Sequence, residues 1–170
     1  MNISKRHKND VYFYIQYMSK QKLFKQQAFL QCKNILEQRI AHAHQAMQSA
    51  QEAANSEDKS SAGDKYETSR AMGQLDRNMN AKQMAEAQTE LNALMKLTMD
   101  YDSEKIISGS MVETNNGIYF IAAGIGMIEV EKKKVAVLSP HSPLAKVMIG
   151  KKVKETFEFN GKSFVVGKVI

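Results

Sequence analysis

The distribution of glycine and proline limits most strongly how this chain can fold. Between Ser19 and Thr98 the sequence has no proline, and Gly63 and Gly73 are its only glycines. Both prolines, most of the glycines and many β-branched residues follow residue 100. Because proline and glycine interrupt helices and β-branched residues favour strands, we predict a helical first half and a β-rich second half. The expected fold class is α+β.

Two long antiparallel helices are expected in the first half, roughly at residues 20–54 and 64–97, with a polar bend between them that reads EDKSSAGDKYETSR (57–70). The first helix carries an apolar stripe with a seven-residue repeat, which thins toward the bend. The second carries two apolar runs that are offset by a slip. The pattern predicts a coiled-coil hairpin. Its stripe comprises Phe29, Cys32, Leu36, Ile40, Ala43, Ala46, Met47, Ala50, Ala53 and Ala54, with Arg39 as an exception; the two runs are Met72, Leu75 and Met79, then Met84, Ala87, Leu91 and Leu94.

The second half reads as a small antiparallel sheet with one short helix laid against it. Asn116-Gly117 and Asn160-Gly161 each favour a two-residue hairpin turn with positive φ angles. Residues 127–139 predict two strands around 131–134, and residues 142–150 predict a helix with Pro143 at its first position. The resulting domain bounds are an N-terminal extension at 1–19, the hairpin at 20–98 with its tip near 55–64, and a C-terminal domain at 106–170.

Composition narrows the choice of partners. The formal net charge is +6 at pH 7, which suits nucleic acid or an acidic protein surface but is also found in proteins with neither partner. Cys32 is the only cysteine, so no internal disulfide can form, and we expect a cytoplasmic protein. No apolar run approaches the ~20 residues that span a bilayer, so no membrane partner is expected. The lysines of the second half make it locally basic, and they read either as a contact surface for acidic residues or RNA or as a solvated face: Lys132, Lys133, Lys134, Lys151, Lys152 and Lys154.

Classical enzyme signatures are missing from the sequence. There is no nucleophile–base pair at a recognisable spacing, no glycine-rich phosphate loop and no metal-ligand cluster. His42 and His44 lie two apart on a predicted helix, so they point to different faces. Cys32 falls on the apolar stripe and is expected in the core. Asp64 is a good N-cap for the second helix, with Glu67 three residues later.

Two stretches resemble a known family. LSPHSPLAKVMIGKKVKETFEF (138–159) is similar to the C-terminal signature of the bacterial Gre transcript cleavage factors, the GreA/GreB family. That signature has Ser-Pro, then Ser-Pro-Leu-Gly/Ala-Lys-Ala-Leu-Leu-Gly-Lys, then Val-Gly-Asp; here Lys154-Glu155 replaces the Gly-Asp pair. DKYETSR (64–70) resembles the family segment that follows the hairpin tip. The resemblance covers roughly residues 20–170.

The resemblance implies both a fold and a function. It implies an FKBP-like C-terminal domain that docks on bacterial RNA polymerase, while the coiled coil enters the secondary channel. The chain would be an accessory factor and not itself an enzyme, acting through the polymerase active centre and meeting RNA or DNA only indirectly through the elongation complex. It would need no cofactor of its own, Mg²⁺ being held only at that active centre, and no small-molecule substrate. The implied polymerase-binding residues are Ser139, Pro140, Ser142, Pro143, Leu144, Lys146, Gly150 and Lys151.

The tip departs from the family pattern. When the segment is anchored on Tyr66, the family's two catalytic carboxylates fall on Lys59 and Ala62. Two hypotheses follow. Either a rebuilt tip still reaches the metal, or the chain occupies the channel without stimulating cleavage and regulates another step of transcription; we favour the second. The remaining candidate carboxylates are Glu57, Asp58 and Asp64, and Tyr66 and Arg70 share a helix face that would brace the tip.

Two other functional classes fit the same elements. An FKBP-like domain beside a helical hairpin is also consistent with a chaperone or a prolyl isomerase. A coiled-coil hairpin is equally consistent with an interaction module for some other complex. An isomerase pocket would be lined by aromatic side chains, and failure to isomerise a prolyl peptide would remove that alternative.

Overall fold

A computed structural model describes the backbone of residues 3–57, 63–98 and 103–170, and the side chains of 20–53, 68, 70–98 and 103–170. The chain forms two compact units, one of residues 33–93 and one of residues 1–32 with 94–170. The α+β fold class is confirmed: two long helices precede a six-stranded sheet and a short helix within the described residues. The domain bounds drawn from the sequence stay predictions.

The two long helices are α1 (Ile3–Glu57) and α2 (Gly63–Met95). The predicted start of α1 at residue 20 is wrong, since the helix begins seventeen residues earlier. The physical reason is that residues 3–57 contain neither proline nor glycine, so nothing interrupts the helical hydrogen bonding. In the described part of the chain, no helix is long and apolar enough to cross a membrane.

Within the 33–93 unit, α1 buries the predicted stripe. Leu36 and Ala43 are buried there, and Ala87 is buried on α2. Toward the bend the two helices are joined by a polar contact, because Arg77 Nη1 donates a hydrogen bond of 2.7 Å to Gln51 Oε1. Large apolar side chains thus give way to small and polar contacts along the pair.

The predicted slip on α2 is absent, which corrects the assignment of Met72, Leu75 and Met79 to the helix–helix contact. The helix is continuous, and its buried or half-buried positions recur every seven residues at 73, 80, 87 and 94. A single helical register cannot bury both runs, because each residue turns by about 100°. The helix buries the face that carries Ala87. Met72, Leu75 and Met79 lie off that face and stay exposed at 62%, 66% and 55%.

The sheet has the strand order β3-β4-β2-β1-β6-β5. Its strands, with α3 between the fourth and fifth, are β1 (Met111–Thr114), β2 (Gly117–Ile121), β3 (Gly126–Val130), β4 (Lys133–Leu138), α3 (Pro143–Met148), β5 (Thr156–Phe159) and β6 (Lys162–Val169).

The sheet is mixed, so the expectation of purely antiparallel pairing needs correction. β2 runs parallel to β4, with Ile118 opposite Val135. The remaining strand pairs are antiparallel. Burial explains the insertion of β4 between β3 and β2, because Val135 and Val137 are fully shielded at this central position. Turn residues predict which strands are joined by a hairpin, but not where that hairpin enters the sheet.

One of the two hairpin turns predicted from the sequence is confirmed, and the other is shifted by one residue. Asn160 and Gly161 both have positive φ, 50° and 73°, which confirms the predicted turn. The first hairpin turns at Asn115 and Asn116, one residue earlier than predicted, and neither has positive φ. The shift has a cause in β6, because Val165 donates its backbone N–H to Asn115 Oδ1 at 2.9 Å and so fixes that asparagine.

Both faces of the sheet carry buried side chains. One face and α3 enclose a core with Phe157 and Phe164, whose rings stack with centroids 4.8 Å apart. The other face carries Met111 and Phe120, both fully buried. The part of α1 in the same unit is tied to the strands near this face by Lys25, which is 4% exposed and donates from Nζ to the Ile170 carbonyl oxygen at 3.1 Å. Among the described residues, the core cluster that includes α3 consists of Ile106, Val112, Ile121, Ala145, Met148, Phe157, Phe164 and Val166.

Candidate functional site

The predicted tip residues lie largely outside the described part of the structure. Asp58 is not among the described residues, and neither are the side chains of Glu57, Asp64 and Tyr66. α2 begins at Gly63, so Asp64 stands inside the helix and not ahead of it. Arg70 is described and exposed. The roles assigned to the tip carboxylates and to the bracing pair therefore stay predictions.

The Ser-Pro motif builds the entry to α3. Ser142 has extended backbone angles and is the N-cap, and its Oγ accepts a hydrogen bond from the Ala145 N–H at 3.3 Å. Pro143 follows at the start of the helix, where the missing N–H costs no helical hydrogen bond. Ser139 closes the preceding loop, since its Oγ accepts from the His141 N–H at 3.3 Å and its carbonyl from the Ser142 N–H at 2.9 Å. The motif is therefore a folding signal for this loop and helix.

The segment after α3 is fixed to the start of the C-terminal domain. Gly150 has φ of 89°, as the residue after a helix often does, and its N–H donates to the Ile106 carbonyl at 2.8 Å. The Ile106 N–H in turn donates to the Lys151 carbonyl at 2.8 Å. Lys152 Nζ pairs with Glu104 Oε2 at 3.2 Å. These contacts hold the exit of α3 in one geometry.

Lys154 adopts the backbone conformation that glycine would normally supply. Its φ is 73°, and its N–H donates to the Val166 carbonyl at 2.7 Å. The aligned position in the Gre signature is the glycine of Val-Gly-Asp. The next residue, Glu155, is acidic, and its Oε2 accepts a hydrogen bond from the Lys152 N–H at 2.8 Å. Lys154 thus forms a left-handed turn although its side chain has a Cβ.

Lys154→Gly is expected to stabilise the protein by about 0.5–1 kcal/mol. A left-handed conformation costs a residue with a Cβ roughly 1–2 kcal/mol, and the greater freedom of glycine in the unfolded chain offsets part of that gain. Denaturant unfolding of both proteins measures the difference. Lys162→Gly, within β6, is the matched control and should destabilise. Equal loss of stability in both variants would contradict the geometry of this turn.

An exposed apolar surface remains once these structural roles are assigned. We define the α3 surface as Pro143, Lys146, Val147 and Ile149. Pro143 and Lys146 are exposed, and the side chains of Val147 and Ile149 keep 37% and 38% of their area accessible. Residues three and four apart share a helix face, so the first three form one patch. A valine and an isoleucine beside a lysine can contact a partner surface that is apolar and acidic.

The eight residues named as polymerase-binding divide into two groups. Lys146, Pro143 and Gly150 are exposed and can contact a partner. Ser139, Pro140, Ser142, Leu144 and Lys151 are half-buried, and Leu144 packs on the core. Sequence reasoning missed Val147 and Ile149 as surface residues. The sequence held a signal for Val147, because this residue lies four positions after Pro143 and so on the same exposed side of the helix.

The six lysines of the C-terminal domain form two groups. Lys132, Lys133 and Lys134 lie at the β3–β4 turn, at one edge of the sheet, whereas the other three precede β5 at the opposite edge. Lys133 Nζ lies 5.6 Å from the centroid of the Phe24 ring. They do not form a single nucleic-acid surface.

The structure also places the other residues that the sequence singled out. Cys32 is buried, and burial raises the pKa of its thiol to about 12, so it is an inert core residue as predicted. His42 and His44 are exposed, and no cluster of metal-binding side chains occurs among the residues described. Burial also raises the pKa of Tyr119 above its ordinary value, and a hydrogen bond with Thr114 offsets part of this rise.

Comparison with known proteins adds one structural likeness. No protein-family profile matches the chain, and no curated protein matches it. Among solved structures, the transcription factor Gfh1 matches with 15% sequence identity and a TM-score of 0.34, over 81% of this chain and 92% of that one. A match at this level does not establish a family, so the functional proposal below depends on the residues of the chain itself.

Proposed function

We propose that this chain is a Gre-like transcription factor that binds bacterial RNA polymerase and places its helical hairpin in the secondary channel without stimulating RNA cleavage. The supporting observation is the geometry of residues 139–155. The residues that resemble the Gre signature form an N-capped helix, a left-handed exit at Gly150 and a left-handed turn at Lys154. The resemblance therefore agrees with the backbone at the positions where backbone geometry is most restrictive.

The order of the elements supports the same proposal. A pair of long helices comes first and the mixed sheet with α3 follows, as the resemblance implies. The α3 surface would dock on the outside of the polymerase, with Val147 and Ile149 buried against it and Lys146 facing an acidic residue. The hairpin would occupy the channel, which would place the protein in the cytoplasm.

The tip sequence supports occupancy without cleavage. Two-metal phosphodiester chemistry needs carboxylate oxygens around the metal, and Mg²⁺ prefers such oxygens. Lys59 and Ala62 replace the carboxylates at the aligned positions. A lysine ammonium at this place would repel Mg²⁺.

The isomerase alternative is not favoured. Phe157 and Phe164, which would have to line a prolyl pocket, are 7% and 5% exposed and stack on each other in the core. Tyr119 packs edge-on against Phe164 at 6.3 Å. These aromatic side chains stabilise the sheet.

RNA cleavage in stalled, backtracked elongation complexes of the cognate polymerase tests the proposal. We expect no stimulation by this chain, and we expect it to inhibit the cleavage that an added Gre factor stimulates. Asp58→Ala and Asp64→Ala should leave that inhibition unchanged. Stimulated cleavage that either variant abolishes would contradict the proposal and show a rebuilt catalytic tip.

A further inference from the structure

The two Asn-Gly pairs of the C-terminal domain differ in how firmly the structure holds them. Asn160 and Gly161 form the turn between β5 and β6, and both are exposed. Within the described part of the chain, the Asn160 side chain makes no hydrogen bond. β5 lies at the edge of the sheet and has β6 as its neighbouring strand. In the plane of the sheet, this turn is therefore supported from one side.

Hydrogen bonds hold the other pair, Asn116-Gly117, at both its side chain and its backbone. Asn116 Nδ2 donates to the Ser163 carbonyl oxygen of β6 at 3.1 Å. The Asn116 N–H donates to Thr114 Oγ1 at 3.1 Å, and this hydroxyl donates in turn to the Gly117 carbonyl at 3.2 Å. Gly117 already belongs to β2, where it pairs with Thr114. Rotation of this pair requires several contacts to break.

An asparagine followed by glycine can lose its amide in an intramolecular reaction. After a base removes its proton, the glycine backbone nitrogen attacks Cγ of the asparagine, and no Cβ on the glycine hinders the approach. The new C–N bond closes a five-membered succinimide ring, while the Cγ–Nδ2 bond breaks and Nδ2 takes up a proton and leaves as ammonia. Water then opens the ring at either carbonyl, which gives aspartate or isoaspartate. The net change consumes one water and releases one ammonia, with no oxidation or reduction.

We propose that Asn160-Gly161 is a site of spontaneous deamidation in the folded protein, and that the contacts of Asn116 protect the other pair. Ring closure needs the asparagine backbone to rotate out of its turn, so hydrogen bonds that must break first slow the reaction. Each such bond slows it by up to about tenfold, and Asn116 has two of them, so we expect Asn160 to react at least about tenfold faster.

The product would alter the β5–β6 hairpin. The main chain of isoaspartate runs through Cβ and is one atom longer, which changes the span between Phe159 and Lys162. Phe157 faces Phe164 further along the same hairpin, and their rings stack in the core. Because the longer turn would disturb this register, we expect the modified protein to unfold at a lower urea concentration than the unmodified one.

Peptide mapping by mass spectrometry, after incubation of the protein for several weeks at neutral pH, measures both sites. Deamidation adds one mass unit, and chromatography separates isoaspartate from aspartate. We expect conversion at Asn160 to be at least about tenfold faster than at Asn116 in the folded protein, and the two rates to be similar in urea. Asn160→Gly keeps a turn that tolerates positive φ and should remove the modification. Equal rates at both pairs in the folded protein, or conversion at Asn160 only in urea, would overturn the proposal.

Thr114→Val tests the protection of Asn116. Valine keeps the β-branched shape but lacks the hydroxyl that accepts from the Asn116 N–H, so conversion at Asn116 should rise several-fold while conversion at Asn160 stays the same. Circular dichroism checks that the variant is folded. An unchanged rate at Asn116 in the folded variant would overturn the protective role of these contacts. These experiments involve no polymerase, so they can fail independently of the proposed function.

Discussion

Phe164→Ala is expected to lower the free energy of unfolding by about 3–5 kcal/mol, since it removes a large buried aromatic side chain and leaves a cavity. Phe164 stacks on Phe157 with an interplanar angle of 6° and contacts Tyr119 edge-on. Aromatic pairs contribute about 0.5–1.5 kcal/mol beyond the area that they bury. The loss is a large fraction of the roughly 5–15 kcal/mol by which a folded domain is stable.

Urea unfolding followed by circular dichroism and by tyrosine fluorescence measures this effect. Val165→Ala is the matched control, because Val165 is the next residue on β6 and is 40% exposed. We expect the control to cost less than about 1 kcal/mol. A small loss at Phe164, or equal losses at both positions, would show that the aromatic pair is not the centre of this core.

Val147→Glu is expected to weaken binding to core RNA polymerase at least tenfold without loss of folding. The side chain lies on the α3 surface and is 37% exposed, so a carboxylate there stays solvated in the free protein. In the proposed complex the carboxylate would be buried beside an acidic partner, and truncation or charging of a central contact costs about 1–2 kcal/mol or more.

Fluorescence anisotropy of labelled protein with core polymerase gives both affinities. Val165→Glu is the matched control, with 40% exposure on the face of β6 opposite the one that packs with Phe164 and α3. It should bind as the wild type does. Equal binding by wild type and Val147→Glu would place the docking surface elsewhere on the protein.

Local signals in the sequence predicted the local structure well. Ser142 and Pro143 predicted α3, and Asn160-Gly161 predicted its hairpin, because each of these residues favours one backbone conformation by itself. The β3–β4 turn places Glu131 and Lys132 in the left-handed region, with φ of 49° and 64°. Neither residue type favours that conformation, so the sequence did not predict it. Lys154 is a similar case.

Features that depend on distant parts of the chain were harder to predict. The parallel pairing of β2 with β4 depends on how Val135 and Val137 are buried, which no turn motif encodes. The exposure of Met72 depends on the register that Ala87 sets fifteen residues later in the same helix. For the candidate site, the sequence identified the residues of the Ser-Pro motif. It did not identify Val147 and Ile149, because their exposure depends on which residues around α3 the sheet buries.

Competition on core RNA polymerase tests the central claim most directly. A fluorescent Gre factor bound to the polymerase is titrated with this chain, and the displaced fraction is measured. We predict complete displacement by the wild-type chain, and displacement by Val147→Glu only at concentrations at least tenfold higher. Polymerase that binds the Gre factor equally well at every concentration of this chain would contradict a shared secondary-channel site.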